Sequence, residues 1–157
     1  MLNIHYFIKP VLYIYNSPLI LSTKRIKLID YKSYCLYKFE IVAHETLESL
    51  YEYFEDLITE NEHLSDSDTT FNNGVLTVNF GSPIGMYVIN RQLPNEQIWL
   101  SSPISGPKRY DYLKSTDTWV YKHNNQSLHQ LLQSEISNIL RKNVDFFVCK
   151  HSGKYCL

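Results

Sequence analysis

The sequence is short of most features that would announce an enzyme, a secreted scaffold or a membrane protein. It has three cysteines, Cys35, Cys149 and Cys156, in 157 residues. None stands in a C-x-x-C pair and the number is odd, so they read as free thiols suited to a reducing compartment. A structural zinc site would need closer Cys and His spacing. Five glycines and six prolines exclude a collagen-like or linker-like chain. No apolar run reaches the roughly 18 residues of a membrane span, and the longest, Val11–Leu21, is broken by Asn16, Ser17 and Pro18. There is no P-loop, G-x-G-x-x-G, H-E-x-x-H or G-x-S-x-G. His123 and His129 have no nucleophile at a motif spacing, and lone histidines of this kind are more often structural than catalytic.

Basic residues are missing from one long segment. Residues 40–68 hold ten Asp or Glu and no Lys or Arg. Residues 1–33 hold five Lys or Arg and one acid, Asp30, while residues 69–157 hold nine bases and five acids. The net charge of −1 therefore conceals strong segregation. A nucleic-acid binder would carry a basic stripe. Here the largest single-sign field is acidic, which implies a cationic partner, either metal ions or a basic protein surface.

What is present suits one globular domain. The chain is 44% hydrophobic and 20% charged, and its length matches a single domain able to bury its own core. Residues 1–33 are apolar, rich in Tyr, Ile and Leu, and basic, so they read as an organelle-import presequence or extension. Residues 34–157 read as the domain. The spacing predicts an amphipathic helix over 36–60, with Phe39, Ala43, Leu47, Leu50, Phe54 and Leu57 on one stripe. Residues 61–73 read as polar loop. Strands are predicted over 74–80, 86–92, 97–101, 108–110 and 119–121, with a tight reverse turn at 93–96. A second helix is predicted over 127–142, opened by a capping box of Ser127 and Gln130. The order helix, strands, helix is an α+β arrangement, with two helices covering one face of an antiparallel sheet.

Three groups of residues could carry chemistry. Glu45, Glu48, Glu52, Glu55, Asp56 and Glu60 recur at three- and four-residue steps, opposite the apolar stripe. Like charges so spaced repel one another by about a few tenths of a kcal/mol per pair. An all-carboxylate set suits hard cations such as Fe²⁺, Fe³⁺, Mn²⁺ or Ca²⁺, weakly and with little selectivity; the alternative is a solvated acidic face. The second group is a hairpin over 86–101. If Gln92 faces Gln97, then Asn90 faces Trp99, and all four lie on the sheet face away from the helices. A Trp ringed by amides there has the composition of a binding hot spot. The third is the pair Lys108 and Arg109, two bases beside the Trp face, or else a solvated basic turn.

At these residues the sequence resembles the frataxin family. The run Gly85–Asp111, reading GMYVINRQLPNEQIWLSSPISGPKRYD, follows the family signature almost residue for residue. So do Gly74-Val75-Leu76-Thr77-Val78, Glu45-Thr46-Leu47, Phe54-Glu55-Asp56-Leu57, Trp119-Val120-Tyr121 and Ser127-Leu128-His129, and the match runs from about Phe39 to Leu140. The resemblance implies a two-layer sandwich, with two near-parallel helices on one face of a twisted antiparallel sheet, and a mitochondrial matrix location or a reduced organelle of that descent. It implies weakly bound iron at Glu45, Glu48, Glu52, Glu55, Asp56, Asp66 and Asp68, an acidic ridge that also docks on a cysteine desulfurase. It implies contact with the iron–sulfur scaffold protein through Asn90, Gln92, Gln97 and Trp99, and with the desulfurase through Arg109. The implied role is an accessory regulator that promotes persulfide transfer and cluster formation. The alternative is an iron chaperone or weak ferroxidase that oxidises, stores or delivers Fe²⁺ for cluster and heme synthesis. The chain would be monomeric when free and need no organic cofactor. His44 and Thr59 stand where the family often has acids, and residues 112–118 form a longer segment than usual. The tail over 142–157 resembles an extension that packs on the domain through Phe146, Phe147 and Val148.

Overall fold

A computed structural model of the chain describes residues 31–61, 64 and 66–153. The expected presequence therefore falls largely outside the described residues. The elements follow in the order α1 (Tyr31–Thr59), β1 (Asp68–Asn72), β2 (Val75–Asn79), β3 (Met86–Gln92), β4 (Gln97–Ser102), β5 (Gly106–Leu113), β6 (Thr118–Tyr121) and α2 (Leu128–Leu140). The six strands form one antiparallel meander in sequence order. Both helices pack on one of its faces, as the α+β reading expects.

α1 forms because its apolar residues recur at helical spacing. Ala43, Leu47, Leu50 and Phe54 are fully buried on that stripe. Thr46 joins them because its hydroxyl is satisfied twice: it donates to the Val42 carbonyl at 2.7 Å and accepts the Trp119 indole N–H at 2.8 Å. α2 starts where the capping box expects. The Gln130 N–H donates to Ser127 Oγ at 3.1 Å, and the Ser127 N–H donates to Gln130 Oε1 at 3.0 Å. This reciprocal pair satisfies two of the orphan donors at the helix start.

Alternation sets the sheet faces. Leu76, Val78, Tyr87, Ile89, Ile98, Leu100, Tyr110 and Trp119 are buried under the helices. Their odd-even neighbours, including Thr77, Val88, Asn90 and Trp99, point to the open side. Both central residues of the β1–β2 hairpin have positive φ, Asn73 at 50° and Gly74 at 76°. Asn-Gly is the pair that accepts this conformation at least cost.

Several expectations are corrected. α1 runs from Tyr31 to Thr59 and so starts earlier than the helix expected over 36–60. Residues 68–72 are a strand, not loop. Thr69 and Phe71 face inward while Asp68, Thr70 and Asn72 face outward, an alternation hidden by the polar Thr. The 93–95 turn is a short 3₁₀ helix closed by Glu96 in the left-handed region at φ 51°. β5 is eight residues long rather than three.

The C-terminal tail is a strap across the helix layer. Phe146 is buried, with its ring 4.9 Å from Tyr53 and 5.1 Å from Phe54. Backbone N–H groups of the strap donate to α1 and α2 side chains: Asp145 to Tyr53 Oη at 3.0 Å, Phe146 to Gln133 Oε1 at 3.2 Å and Lys150 to Ser49 Oγ at 3.1 Å. Val148, expected to pack, is 52% exposed; the single inward position of this 3₁₀ turn goes to Phe146. Cys149 is a buried residue of the strap, and burial pushes its thiol up to about 12. It is an inert core residue rather than a nucleophile.

Candidate functional site

Two surfaces hold the residues singled out by the sequence. The first is the open sheet face. The register places Asn90 opposite Trp99 and Gln92 opposite Gln97, and on the other side of β4 it places Arg109 opposite Trp99 and Asp111 opposite Gln97. The side chains form a connected set. The Arg109 guanidinium carbon lies 4.5 Å from the centroid of the Trp99 ring, within cation–π distance. The Trp99 indole N–H donates to Gln97 Oε1 at 3.0 Å, and Gln97 Nε2 donates to Asp111 Oδ1 at 3.1 Å. Asp111 Oδ2 in turn meets Lys122 Nζ at 3.2 Å. Trp99 is half-buried, while Arg109 is exposed.

Asp111 and Lys122 are members that the sequence reading missed. Asp111 was legible: it lies two residues after Arg109, hence on the same face of one strand. The predicted strand stopped at Tyr110 and left it out. Lys108 is a correction in the opposite sense. It pairs with Leu100, on the helix side of the sheet, because one residue of shift exchanges faces. Its ammonium donates to the Ser105 carbonyl at 2.8 Å and lies 6.0 Å from the Tyr121 ring centroid.

The second surface is the outer stripe of α1. Glu48, Glu52 and Asp56 are exposed and Glu55 is half-buried, all on the side away from the core. Asp66 and Asp68 are exposed beyond the helix end. Among the described residues, no three of His, Cys, Asp and Glu converge on a point that could hold a metal ion. The stripe is thus a field of separate carboxylates rather than a cage.

Glu45 is held apart from that field. Its Oε2 lies 3.0 Å from His151 Nε2, and His151 Nδ1 lies 2.6 Å from Asp117 Oδ1. Tyr112 also donates its hydroxyl to Asp117 Oδ1. The His151 ring thereby ties the strap to α1 and to the β5–β6 turn. Burial alone would raise the Asp117 carboxyl, but the hydrogen bonds from Tyr112 and His151, with the His151 charge, take it below the ordinary carboxylate value. Beneath the clamp lies His129, fully buried on α2. Burial first and His151 second lower its pKa to about 4. The nearby Lys150 backbone offsets part of this without making a well-formed hydrogen bond to either ring nitrogen.

Two helices on one face of a six-stranded antiparallel sheet, with an amide-and-aromatic open face and an acidic first helix, define a small class of α+β domain. The sequence matches the family model described as the frataxin-like domain over residues 34–142, and the chain belongs to that family. It is 53% identical over 111 residues to "Frataxin homolog, mitochondrial" of Drosophila melanogaster, covering 69% of this chain and 58% of that protein. It is 44% identical over 110 residues to "Frataxin, mitochondrial" of Caenorhabditis elegans, covering 69% and 80% respectively. A solved structure of yeast frataxin aligns with a TM-score of 0.58 at 31% identity, over 76% of this chain and 95% of that one. A trimeric frataxin from Saccharomyces cerevisiae complexed with ferrous iron aligns with a TM-score of 0.55 at 37% identity, over 64% and 87%. The matched segment thus spans little more than half of the Drosophila protein. The relatives' names place them in mitochondria, in agreement with the location expected for this chain.

Proposed function

We propose that this chain is an accessory regulator of iron–sulfur cluster assembly in the mitochondrial matrix. It docks on a cysteine desulfurase–scaffold complex and promotes persulfide transfer and cluster formation. Membership in the frataxin-like family supports an iron-related role in iron–sulfur biogenesis. The observation that carries the finer reading is the open-face set of Arg109, Trp99, Gln97 and Asp111. A half-buried aromatic fixed among hydrogen-bonding groups, with a guanidinium over its ring, has the make-up of an interface hot spot. Asn90 and Gln92 supply further amides on the adjacent strand. Iron is cargo held weakly along Glu48, Glu52, Glu55, Asp56, Asp66 and Asp68, and the same field steers the chain toward a basic partner surface.

A second reading, an iron chaperone or ferroxidase, draws on the exposed carboxylates of α1. Efficient ferroxidases gather their carboxylates with Glu-x-x-His pairs on facing helices. The dispersed stripe suits transient holding of Fe²⁺ better than its oxidation. The test is the rate of persulfide transfer and cluster formation by a matched desulfurase–scaffold complex, with and without the chain, at substoichiometric iron. Stimulation supports regulation by docking. No stimulation, with iron oxidation or delivery retained, contradicts it and favours the second reading.

A further inference from the structure

A buried carboxylate stands on the far side of the sheet from Trp99. Glu135 of α2 is 6% exposed, and among the described residues no Lys, Arg or His pairs with it. Burying a carboxylate without a cation is costly, and a well-packed apolar residue would serve a core position at least as well. What distinguishes Glu135 is the route of its hydrogen bonds. Its Oε2 accepts the Tyr87 hydroxyl from β3 at 2.8 Å and the Ser102 hydroxyl from the end of β4 at 2.6 Å. Burial first, and Glu135 second, raise the Tyr87 pKa, so its hydroxyl keeps the proton that it donates. Ser102 Oγ then accepts the backbone N–H groups of Ile104 and Ser105, both at 3.1 Å.

The chain of bonds runs from the helix layer into the turn that joins β4 to β5. That turn closes on the pair Ser102 and Gly106, and from there the ladder reaches Arg109 opposite Trp99. Register in a hairpin is set by its turn, and a slip of one residue moves every side chain to the other face. A slip here would exchange Arg109 for Lys108 on the Trp99 face. We propose that Glu135 is a positioning residue for the open face: through Ser102 it pins the 103–105 turn in the register that sets Arg109 over Trp99. The functional part of this inference rests on the docking role given to that face above.

Three full-length variants test it, read by amide exchange at Ile104 and Ser105 and by docking to the desulfurase–scaffold complex. Ser102→Ala removes the acceptor for both amides while leaving the Tyr87–Glu135 bond. It should speed exchange at 104 and 105 roughly tenfold and weaken docking about fivefold. Glu135→Leu should do the same even where it leaves global stability unchanged or raised. Glu135→Gln should stay near wild type, because both bonds fall on one oxygen, which a carboxamide also supplies. Unchanged exchange in Ser102→Ala overturns the proposal, as does docking that merely follows the denaturation midpoint across the three. If Glu135→Leu fails to fold, Ser102→Ala decides. Trp99→Ala is measured alongside. If it docks normally, the docking reading fails, and amide exchange alone then supports or overturns the positioning role.

Discussion

The acidic stripe of α1 and the open face of the sheet both carry suggestive side chains but hold them differently. Glu48, Glu52 and Asp56 are spaced by the helix alone, stand in solvent and make no salt bridge among the described residues. On the sheet, Arg109, Trp99, Gln97, Asp111 and Lys122 each fix the next. An unfixed field of charge acts at a distance and chooses poorly, whereas a fixed constellation acts at contact and chooses well. In the proposed role, therefore, the stripe attracts and the sheet face recognises. Glu45 shows the two modes inside one helix: it shares the stripe's spacing, but His151 has bound it into the fold.

Truncating the aromatic should break the contrast most severely. Trp99→Ala is expected to weaken docking by on the order of a hundredfold, with the denaturation midpoint little changed because the ring lies outside the core. Titration of the partner complex followed by thermal unfolding checks both halves. Acid should come next, acting on the strap rather than on either surface. The folded pKa of His129, about 4, lies below its ordinary value near 6.5. The folded state therefore binds fewer protons than the unfolded chain in between. Stability is complete above pH 6.5 and falls as pH drops toward 4, by about 2 kcal/mol at pH 5. Asp117, also depressed, extends the loss to lower pH. Denaturant curves across this range should show the slope in the wild type, and His129→Leu should flatten it.

Neutralising Glu48, Glu52 and Asp56 together, to Gln and Asn, should slow association by roughly tenfold at low salt and hardly at all at high salt. Stopped-flow mixing at two ionic strengths reads this directly. The smallest effect sharpens the difference within the stripe. Glu45→Ala should cost about 1 kcal/mol of folding stability through the lost His151 contact, whereas Glu52→Ala should stay within about 0.5 kcal/mol.

Much of this arrangement was legible in the residues. The two helices, the capping box and the Asn90–Trp99 register follow from periodicity and from one correctly placed turn. β1 was missed because Thr69 fills an inward position without looking apolar. β5 was cut short because Asp111 resembles an ending when it is a member of the open face. The Glu45–His151–Asp117 clamp joins residues far apart in sequence, and no local pattern announces it. Lys108 was placed beside Trp99 because adjacency in sequence hides the alternation of faces.

In the proposed function, contact at the sheet face, and not the carboxylate field, makes the chain a regulator. The most direct measurement compares Trp99→Ala with the triple Glu48, Glu52 and Asp56 variant in one assay. Cluster formation by the desulfurase–scaffold complex is followed at saturating chain, substoichiometric iron and high salt. The triple variant should stimulate nearly as well as wild type, and Trp99→Ala should not stimulate. Full stimulation by Trp99→Ala, with none from the triple variant, would contradict the proposed function.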